Sequence, residues 1–547
     1  MTIEWSLTAV NDVIADAIPE RDMLVWGDVR RTYGEVRDRT QALAGFFVQR
    51  AVGLRTERER LERWECGQTP VALVMDNRTE YIEAMLGAFR ARAVPFNVNQ
   101  HYTASEVGAL FDLIGVGAVV YARRYAALVR DALGDRSVVL VDVDDDSGGD
   151  PRPGSVAYEA AIAKGEGTPL PTTDGDDLYL VCTGGTTGRP KAVSWRQADI
   201  FISAMAGQEG TTAASLVATV SGPGETWFAA PPMMHAAAQW TAFCGLHCGA
   251  TVVLHDDSRP FDAAEILRVA ERERITMISV VGDAYARPIV EELRNRHYDL
   301  GPLRRIGIGG APTSEENKAA LLELLPHVMI VDGYGASETG GMAFGATTRD
   351  SSRATTSVTF APAAGAAVLA ADRTRFLEPG DDEIGWTARR GRVPLGYLHD
   401  ETATEATFPI VAGERLAVPG DRARIAANGT IELLGRDSLV VNTGGEKVFV
   451  EEVEQALRAH PDVVDALVVG RPSDRFGEEV VAVVHLVPGA EVTGADLREF
   501  SAESIARFKA PHAFAFTDAI VRHPSGKPDY RWAREVAADA VPVSSGP

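Results

Sequence analysis

Along this chain, short apolar runs alternate with stretches in which apolar residues return every three or four positions. The runs at 71–75, 94–98, 118–121 and 138–141 are rich in β-branched residues and predict buried strands. Residues 79–90 carry the helical spacing instead, as does the end of the first 55 residues, from Thr40 to Arg50. The alternation resumes with predicted strands at 178–182, 251–254, 277–281, 305–308 and 328–331 and a helix at 263–271. A βαβ rhythm of this kind implies parallel sheets covered by helices. From about residue 358 the pattern changes to short strands broken by glycine and proline, as in a small β-rich subdomain. There a hairpin is predicted, 423–425 against 430–434, with Asn428-Gly429 supplying the positive φ angles of a tight turn.

Beyond Arg436 the pattern reads as a separate α+β unit of roughly 110 residues, an ordinary domain size. It has predicted helices at 450–459 and 495–506 and strands at 463–469 and 479–487. The expected fold is therefore α/β. A large N-terminal domain, 1–436, holds parallel βαβ sheets and the small β-rich subdomain, and a smaller α+β domain covers 437–547. The charged run 55–65 alternates in sign and predicts a solvated helical face or an insertion.

Composition narrows the function classes. With 547 residues and 45% hydrophobic content, the chain can bury large cores. The net charge of -23 argues against a nucleic-acid partner, since phosphate backbones repel such a surface. The start, Met1-Thr2-Ile3-Glu4-Trp5, does not read as a signal peptide. The longest apolar region, 235–254, is interrupted by Gln239, His247 and glycines, so no transmembrane segment is expected. Four cysteines form no disulfide framework and fit a reducing cytoplasm. Cys244, His247 and Cys248 lie close together, but without a second ligand cluster they read as buried core residues rather than a zinc site.

The chemistry centres on the end of the strand at 178–182. It runs into Thr183-Gly184-Gly185-Thr186-Thr187-Gly188, followed by Arg189 and Lys191. Glycines let backbone N–H groups turn together toward a ligand, and hydroxyls add donors. Beside a cation, such a cluster suits a polyphosphate. It is not a Walker loop, because Lys191 follows Pro190 and precedes Ala192. The dinucleotide fingerprint is also missing: in Gly307-Ile308-Gly309-Gly310-Ala311-Pro312, proline stands where the last glycine belongs.

The loop resembles the phosphate loop of the acyl-adenylate-forming superfamily, which includes acyl-CoA synthetases, peptide-synthetase adenylation domains and beetle luciferases. Further motifs follow in the family's order. Gly310, Ala311 and Pro312 resemble the segment that lies along the adenine. Asp332-Gly333-Tyr334-Gly335-Ala336-Ser337-Glu338-Thr339 resembles the Gly-Tyr-Gly-x-Thr-Glu element, with Ser337 for the usual threonine. By that match Asp332 faces the adenine amino group, Tyr334 packs on the ring and Glu338 holds Mg²⁺ on the phosphates, a role suited to a hard oxygen ligand. Asp421 and Arg436 match the residues that reach the ribose and phosphates, and Lys527 in Ser525-Gly526-Lys527 matches the catalytic lysine. His235 falls at the mouth of the acyl pocket, where Gly335 and Ala336 are small. Gly444, Gly445, Glu446 and Lys447 match the segment that lines the CoA channel after the C-terminal domain rotates. The pivot matches Asp437 or Ser438, and Asn442 replaces a lysine of some members, against a luciferase-like role.

The resemblance implies an ATP-dependent acyl-CoA synthetase using ATP, CoA and Mg²⁺, with a small-molecule carboxylic acid as substrate. The segments 195–197, 280–284 and 442–448 are similar to those of actinobacterial synthetases for long-chain or steroid side-chain acids. Two other readings stay open, an adenylation enzyme that loads a carrier protein and a non-catalytic nucleotide- or acyl-binding protein. Oligomeric state, a homodimer included, is not legible.

Overall fold

The computed structural model describes residues 4–543 except 184–189, 312, 351–358, 437–438, 444–445, 474–476 and 523–526. Two sheets dominate its N-terminal part. One is parallel and five-stranded, built from Val94–Asn97, Pro70–Val74, Ala118–Ala122, Val139–Val143 and Val156–Ala157 in that order. The other has thirteen strands. Its parallel half runs through Asp22–Trp26, Thr251–Leu254, Thr226–Ala229, Met277–Val280, Arg305–Ile308 and Met329–Ala336, with Phe228 opposite Ile278, Ile278 opposite Ile306 and Ile306 opposite Ile330. From Gly340–Thr347 onward the pairing turns antiparallel, through Thr359–Pro362, Ile431–Arg436, Asp421–Ile425, Gly385–Arg389 and Ala366–Leu369.

One core joins the two sheets. Leu24 and Val252 of the large sheet, Leu73 and Val120 of the smaller one, and Phe46 and Phe89 from the helices Tyr33–Gln49 and Thr79–Arg90 are all buried in it. The helix Tyr33–Gln49 starts at a capping box in which Thr32 and Glu35 satisfy each other's backbone N–H groups. The C-terminal part has its own six-stranded sheet and the helices Val450–Arg458, Gly494–Ser504 and Tyr530–Ala537. Its separate core gathers around Val453, Leu457, Val468, Val480 and Val484.

Several sequence expectations need correction. The first 55 residues hold two helices, Leu7–Ala17 and Tyr33–Gln49, with an antiparallel strand pair between them, Asp22–Trp26 and Val29–Thr32. Only three residues of the first strand are fully buried and the second is Val-Arg-Arg-Thr, too short and polar to signal a strand. The charged run forms no full helix but a 3-10 turn, Arg58–Arg60, in a loop that the Arg58 guanidinium closes on the Glu62 and Glu65 carbonyls. The strand expected to stop at Val331 continues to Ala336, because Gly340–Thr347 folds back and pairs with it. In the 421–436 hairpin only Gly429 of the Asn-Gly pair takes a positive φ, +80°. The turn is longer than a two-residue one, closed by Ala426 N–H to the Thr430 carbonyl at 2.9 Å.

Candidate active site

The strands Leu178–Thr183 and Lys191–Arg196 pair antiparallel and bring Thr183 opposite Lys191. The glycine- and threonine-rich segment therefore spans the open end of a hairpin; Gly184, Gly185, Thr186, Thr187 and Gly188 themselves lie outside the described residues. Asn97, at the end of its parallel strand, fixes this end. Its Nδ2 donates to the Cys182 carbonyl at 3.0 Å and the Met234 carbonyl at 2.6 Å, and its Oδ1 accepts from Cys182 N at 2.8 Å. One buried amide thus ties the segment carrying Thr183 to the segment carrying His235.

Lys191 reaches forward over the ring of Tyr397, its Nζ 4.4 Å from the centroid. The Tyr397 hydroxyl donates to Glu338 Oε1 at 2.8 Å. Tyr397 is held by backbone pairing opposite Val193 of the same hairpin. Glu338 sits in the turn between Met329–Ala336 and Gly340–Thr347, which is anchored from below by the buried Trp195, whose Nε1 donates to the Ser337 carbonyl at 2.9 Å. Gly335 is required by the same turn, since a Cβ there would lie 2.2 Å from the Gly340 carbonyl oxygen. Ala336 N donates to Thr339 Oγ1 at 2.9 Å, which closes it.

Farther along the strand, the Tyr334 hydroxyl donates to Asp421 Oδ2 at 2.7 Å and lies 3.2 Å from Thr387 Oγ1. Asp421 pairs in register with Arg436, whose backbone lies at the end of the same hairpin. Gly333 packs beside the Ile308 carbonyl, and Asp332 forms an ion pair with the buried Lys318 at 3.0 Å. Burial works against the Lys318 charge, but Asp332 and Glu315 outweigh it and hold its pKa above the usual value. Gly310, at φ +79°, and Ala311 follow the strand Arg305–Ile308; Pro312 lies outside the described residues. Just past them, Ser314 N and Oγ both donate to Asp283 Oδ1.

His235 occupies the residue before the helix Ala236–His247. Among the described residues its buried Nε2 has no hydrogen-bond partner. Burial, then the charges of Lys527 and His101, pulls its pKa down to about 4, so the imidazole is neutral at pH 7. The exposed Lys527 of the C-terminal part therefore lies within electrostatic reach of His235. Of the CoA-channel residues expected from sequence, Gly444 and Gly445 lie outside the described residues, and Glu446 and Lys447 pair along the backbone with Thr443 and Asn442.

The residues missed by sequence reasoning are Tyr397, Lys318 and Asn97. None sits in a glycine-rich or repeated pattern, and Tyr397 is 59 positions from the carboxylate it binds. The Cys244–Cys248 segment turns inward: Cys244 Sγ bonds the Ala204 carbonyl at 3.0 Å, and His247 Nδ1 lies 2.7 Å from the Met205 carbonyl.

Known proteins are similar to this chain over nearly its full length. Medium-chain acyl-CoA ligase Mig of Mycobacterium avium is 43% identical over 98% of this chain and 99% of its own. A medium/long-chain-fatty-acid–CoA/3-oxocholest-4-en-26-oate–CoA ligase of Mycobacterium tuberculosis is 37% identical over 98% of this chain and 96% of its own. The solved amide bond synthetase McbA of Marinactinospora thermotolerans shares the fold at a TM-score of 0.77, with 23% identity over 97% of this chain and 99% of that one. Residues 12–385 match the family described as AMP-binding enzyme, and residues 452–527 match the AMP-binding enzyme C-terminal domain. With both parts matched in order, the chain belongs to the AMP-binding enzyme family.

Proposed function

We propose that this protein is an AMP-forming acyl-CoA ligase acting on a medium- or long-chain fatty acid or a steroid side-chain acid. The observation that carries the reading is the pair of bonded groups that one strand and its turn bring together, Lys191–Tyr397–Glu338 and Tyr334–Asp421, with the charge of Lys527 acting on the buried His235. The activities for which the mycobacterial relatives are named support the same class.

In the first half-reaction an oxygen of the acid's carboxylate bonds to the α-phosphorus of ATP, and the bond to pyrophosphate breaks. The segment 183–188 and Lys191 bind the phosphates, Asp421 and Arg436 the ribose, and Gly310, Ala311, Pro312, Asp332, Gly333 and Tyr334 the adenine. Lys527 brings its positive charge to the carboxylate and α-phosphate as negative charge gathers there. His235, neutral at pH 7, lines the entry of the acyl chain with Gly335 and Ala336. Glu338 fits Mg²⁺: it offers hard carboxylate oxygen, and the Tyr397 bond at Oε1 fixes its orientation. Bound there, Mg²⁺ would offset charge on the phosphates.

In the second half-reaction the CoA sulfur bonds to the acyl carbonyl carbon and AMP leaves. For this step Lys527 withdraws, and Gly444, Gly445, Glu446 and Lys447 line the thiol's path. We place the domain division between Arg436 and Asp437. The change from the large sheet, which includes Ile431–Arg436, to the C-terminal sheet, which includes Val440–Thr443, supports it. We place the enzyme in the cytoplasm, where ATP and CoA are held and where Cys66, Cys182, Cys244 and Cys248 can remain free thiols.

Pyrophosphate release from Mg-ATP across a panel of acids, with and without CoA, tests the reading. It expects release that depends on a fatty or steroid acid, with CoA raising turnover and giving thioester. Release indifferent to CoA would make a carrier protein the acceptor, and silence with every acid would remove the reading. Lys527→Ala should slow adenylate formation by about a hundredfold or more, while adenylate supplied ready-made still reacts with CoA.

A further inference from the structure

The segment that carries Lys527 is held at both ends. On one side Arg522 Nε and Nη2 donate to Asp465 Oδ2 at 3.1 and 2.7 Å. On the other the Tyr530 hydroxyl donates to Glu454 Oε1 at 3.0 Å, and that same oxygen accepts from Val468 N at 2.9 Å. Arg522 and Pro528 face each other in an isolated β-bridge. Asp465 has a second set of partners, with its Oδ1 accepting from Ala466 N at 2.9 Å and lying 3.5 Å from Arg458 Nη1.

The residue before Asp465 is where the N-terminal part takes hold. Arg287, on the helix Gly282–Asn295, donates through Nη2 to the Val464 carbonyl. One turn earlier on that helix is Asp283, which binds Ser314 just past the adenine segment and lies within electrostatic reach of Arg458. One short piece of strand, Val464-Asp465-Ala466, thus faces the nucleotide-side helix and also grips the base of the lysine segment.

We propose that Asp465 is a positioning residue for the adenylating half-reaction. Through Arg522 it fixes the base of the Lys527 segment, and through the neighbouring Val464 carbonyl it is keyed to Arg287. Lys527 is therefore aligned in the site only while the two parts of the chain are in this arrangement. The inference rests on the acyl-CoA ligase reading above. Asp465 acts through Arg522 and touches no reacting atom.

The two half-reactions separate positioning from general damage. Pyrophosphate release without CoA reads the first; thioester formation from synthetic acyl-adenylate and CoA reads the second. Asp465→Asn and Arg522→Gln should each slow the first by about tenfold to a hundredfold, the range set by loss of a charged hydrogen bond. The second should stay within about twofold, well under the one decade that 1.4 kcal/mol represents. Arg522→Lys should recover part of the loss, and the double variant should lose less than the sum of the two single losses, as residues in contact do. Arg287→Ala, on a half-buried side chain, gives the same split if the Asp465 variant does not fold.

An equal fall in both half-reactions, or no fall in the first, would overturn the inference. If wild type releases pyrophosphate and Lys527→Ala does not, while these variants behave as wild type, only this inference fails. A silent wild type with every acid removes the ligase reading and this inference with it.

Discussion

Replacing Tyr397 with phenylalanine tests how the site holds its carboxylate. The ring remains, so Lys191 keeps the face it lies over at 4.4 Å. Only the hydroxyl that donates to Glu338 Oε1 at 2.8 Å is lost. A hydrogen bond to a charged acceptor contributes about 1.5–3 kcal/mol, and about 1.4 kcal/mol is a factor of ten in rate. Water can replace part of the bond, so the expected loss is about tenfold in kcat/KM for Mg-ATP. The assay is pyrophosphate release without CoA, with Mg²⁺ varied at fixed acid. If Glu338 holds Mg²⁺, the loss appears as a raised Mg²⁺ requirement, and the KM for the acid barely moves. Tyr397→Leu should lose about 0.5–2 kcal/mol more, because the cation no longer lies over a ring. Combining Tyr397→Phe with Glu338→Gln should give less than the sum of the single losses, as residues in contact do. Additive losses, or Tyr397→Phe within twofold of wild type at every Mg²⁺ concentration, would refute the reasoning.

Other substitutions probe the surrounding frame. Trp195→Phe removes the bond to the Ser337 carbonyl from a fully buried position, and denaturant unfolding should show a loss of about 2–3 kcal/mol; a loss under about 0.5 kcal/mol, the scale of a surface change, would discount the anchor. Gly335→Ala forces a Cβ to 2.2 Å from the Gly340 carbonyl oxygen. Overpacking of this kind costs about 1–3 kcal/mol, and by shifting Tyr334 it should also raise the KM for ATP. An unchanged melting temperature and KM would contradict the packing argument. His247 is held at about 4 by burial. Its folded pKa is below the unfolded value of about 6.5, so the unfolded chain takes up the proton first as pH falls. That contribution to stability is intact above about pH 6.5 and drains toward pH 4, by about 3 kcal/mol in all. His247→Gln should flatten this part of the stability profile; parallel profiles from pH 7 to 4 would rule His247 out as its source.

Much of the architecture was legible because β-branched runs and helical spacing mark buried elements independently of their partners. The strands Thr251–Leu254 and Arg305–Ile308 and the helix Thr79–Arg90 end where the pattern places them. What escaped depends on partners distant in the chain. Val29–Thr32 is a strand because Asp22–Trp26 lies beside it, not because Val-Arg-Arg-Thr favours one. Met329–Ala336 extends through a glycine-rich motif because Gly340–Thr347 folds back onto it. In the site, glycine and threonine mark out the proposed phosphate-binding segment locally, since their backbone freedom and hydroxyls are intrinsic to them. Tyr397 and Asn97 are ordinary residues whose meaning comes from contacts with Glu338, Cys182 and Met234. No spacing rule reaches that far.

The charge balance explains why such partners matter. A chain of net charge -23 has to gather a polyanionic nucleotide, so its cations must act locally. An acid partner would fix a lysine but spend its charge. Lys318 illustrates this, since Asp332 at 3.0 Å and Glu315 at 3.1 Å both draw on it. Lys191 is steadied instead by the face of Tyr397, which attracts a cation without carrying a full negative charge. Its charge remains available to a phosphate. Lys527 is exposed, and the ion pair that steadies its segment is made five residues away by Arg522 with Asp465. The proposed roles follow from this division: Lys318 holds Asp332 in place, Lys191 meets the phosphates from a fixed position, and Lys527 is brought to the α-phosphate when its supporting contacts are made.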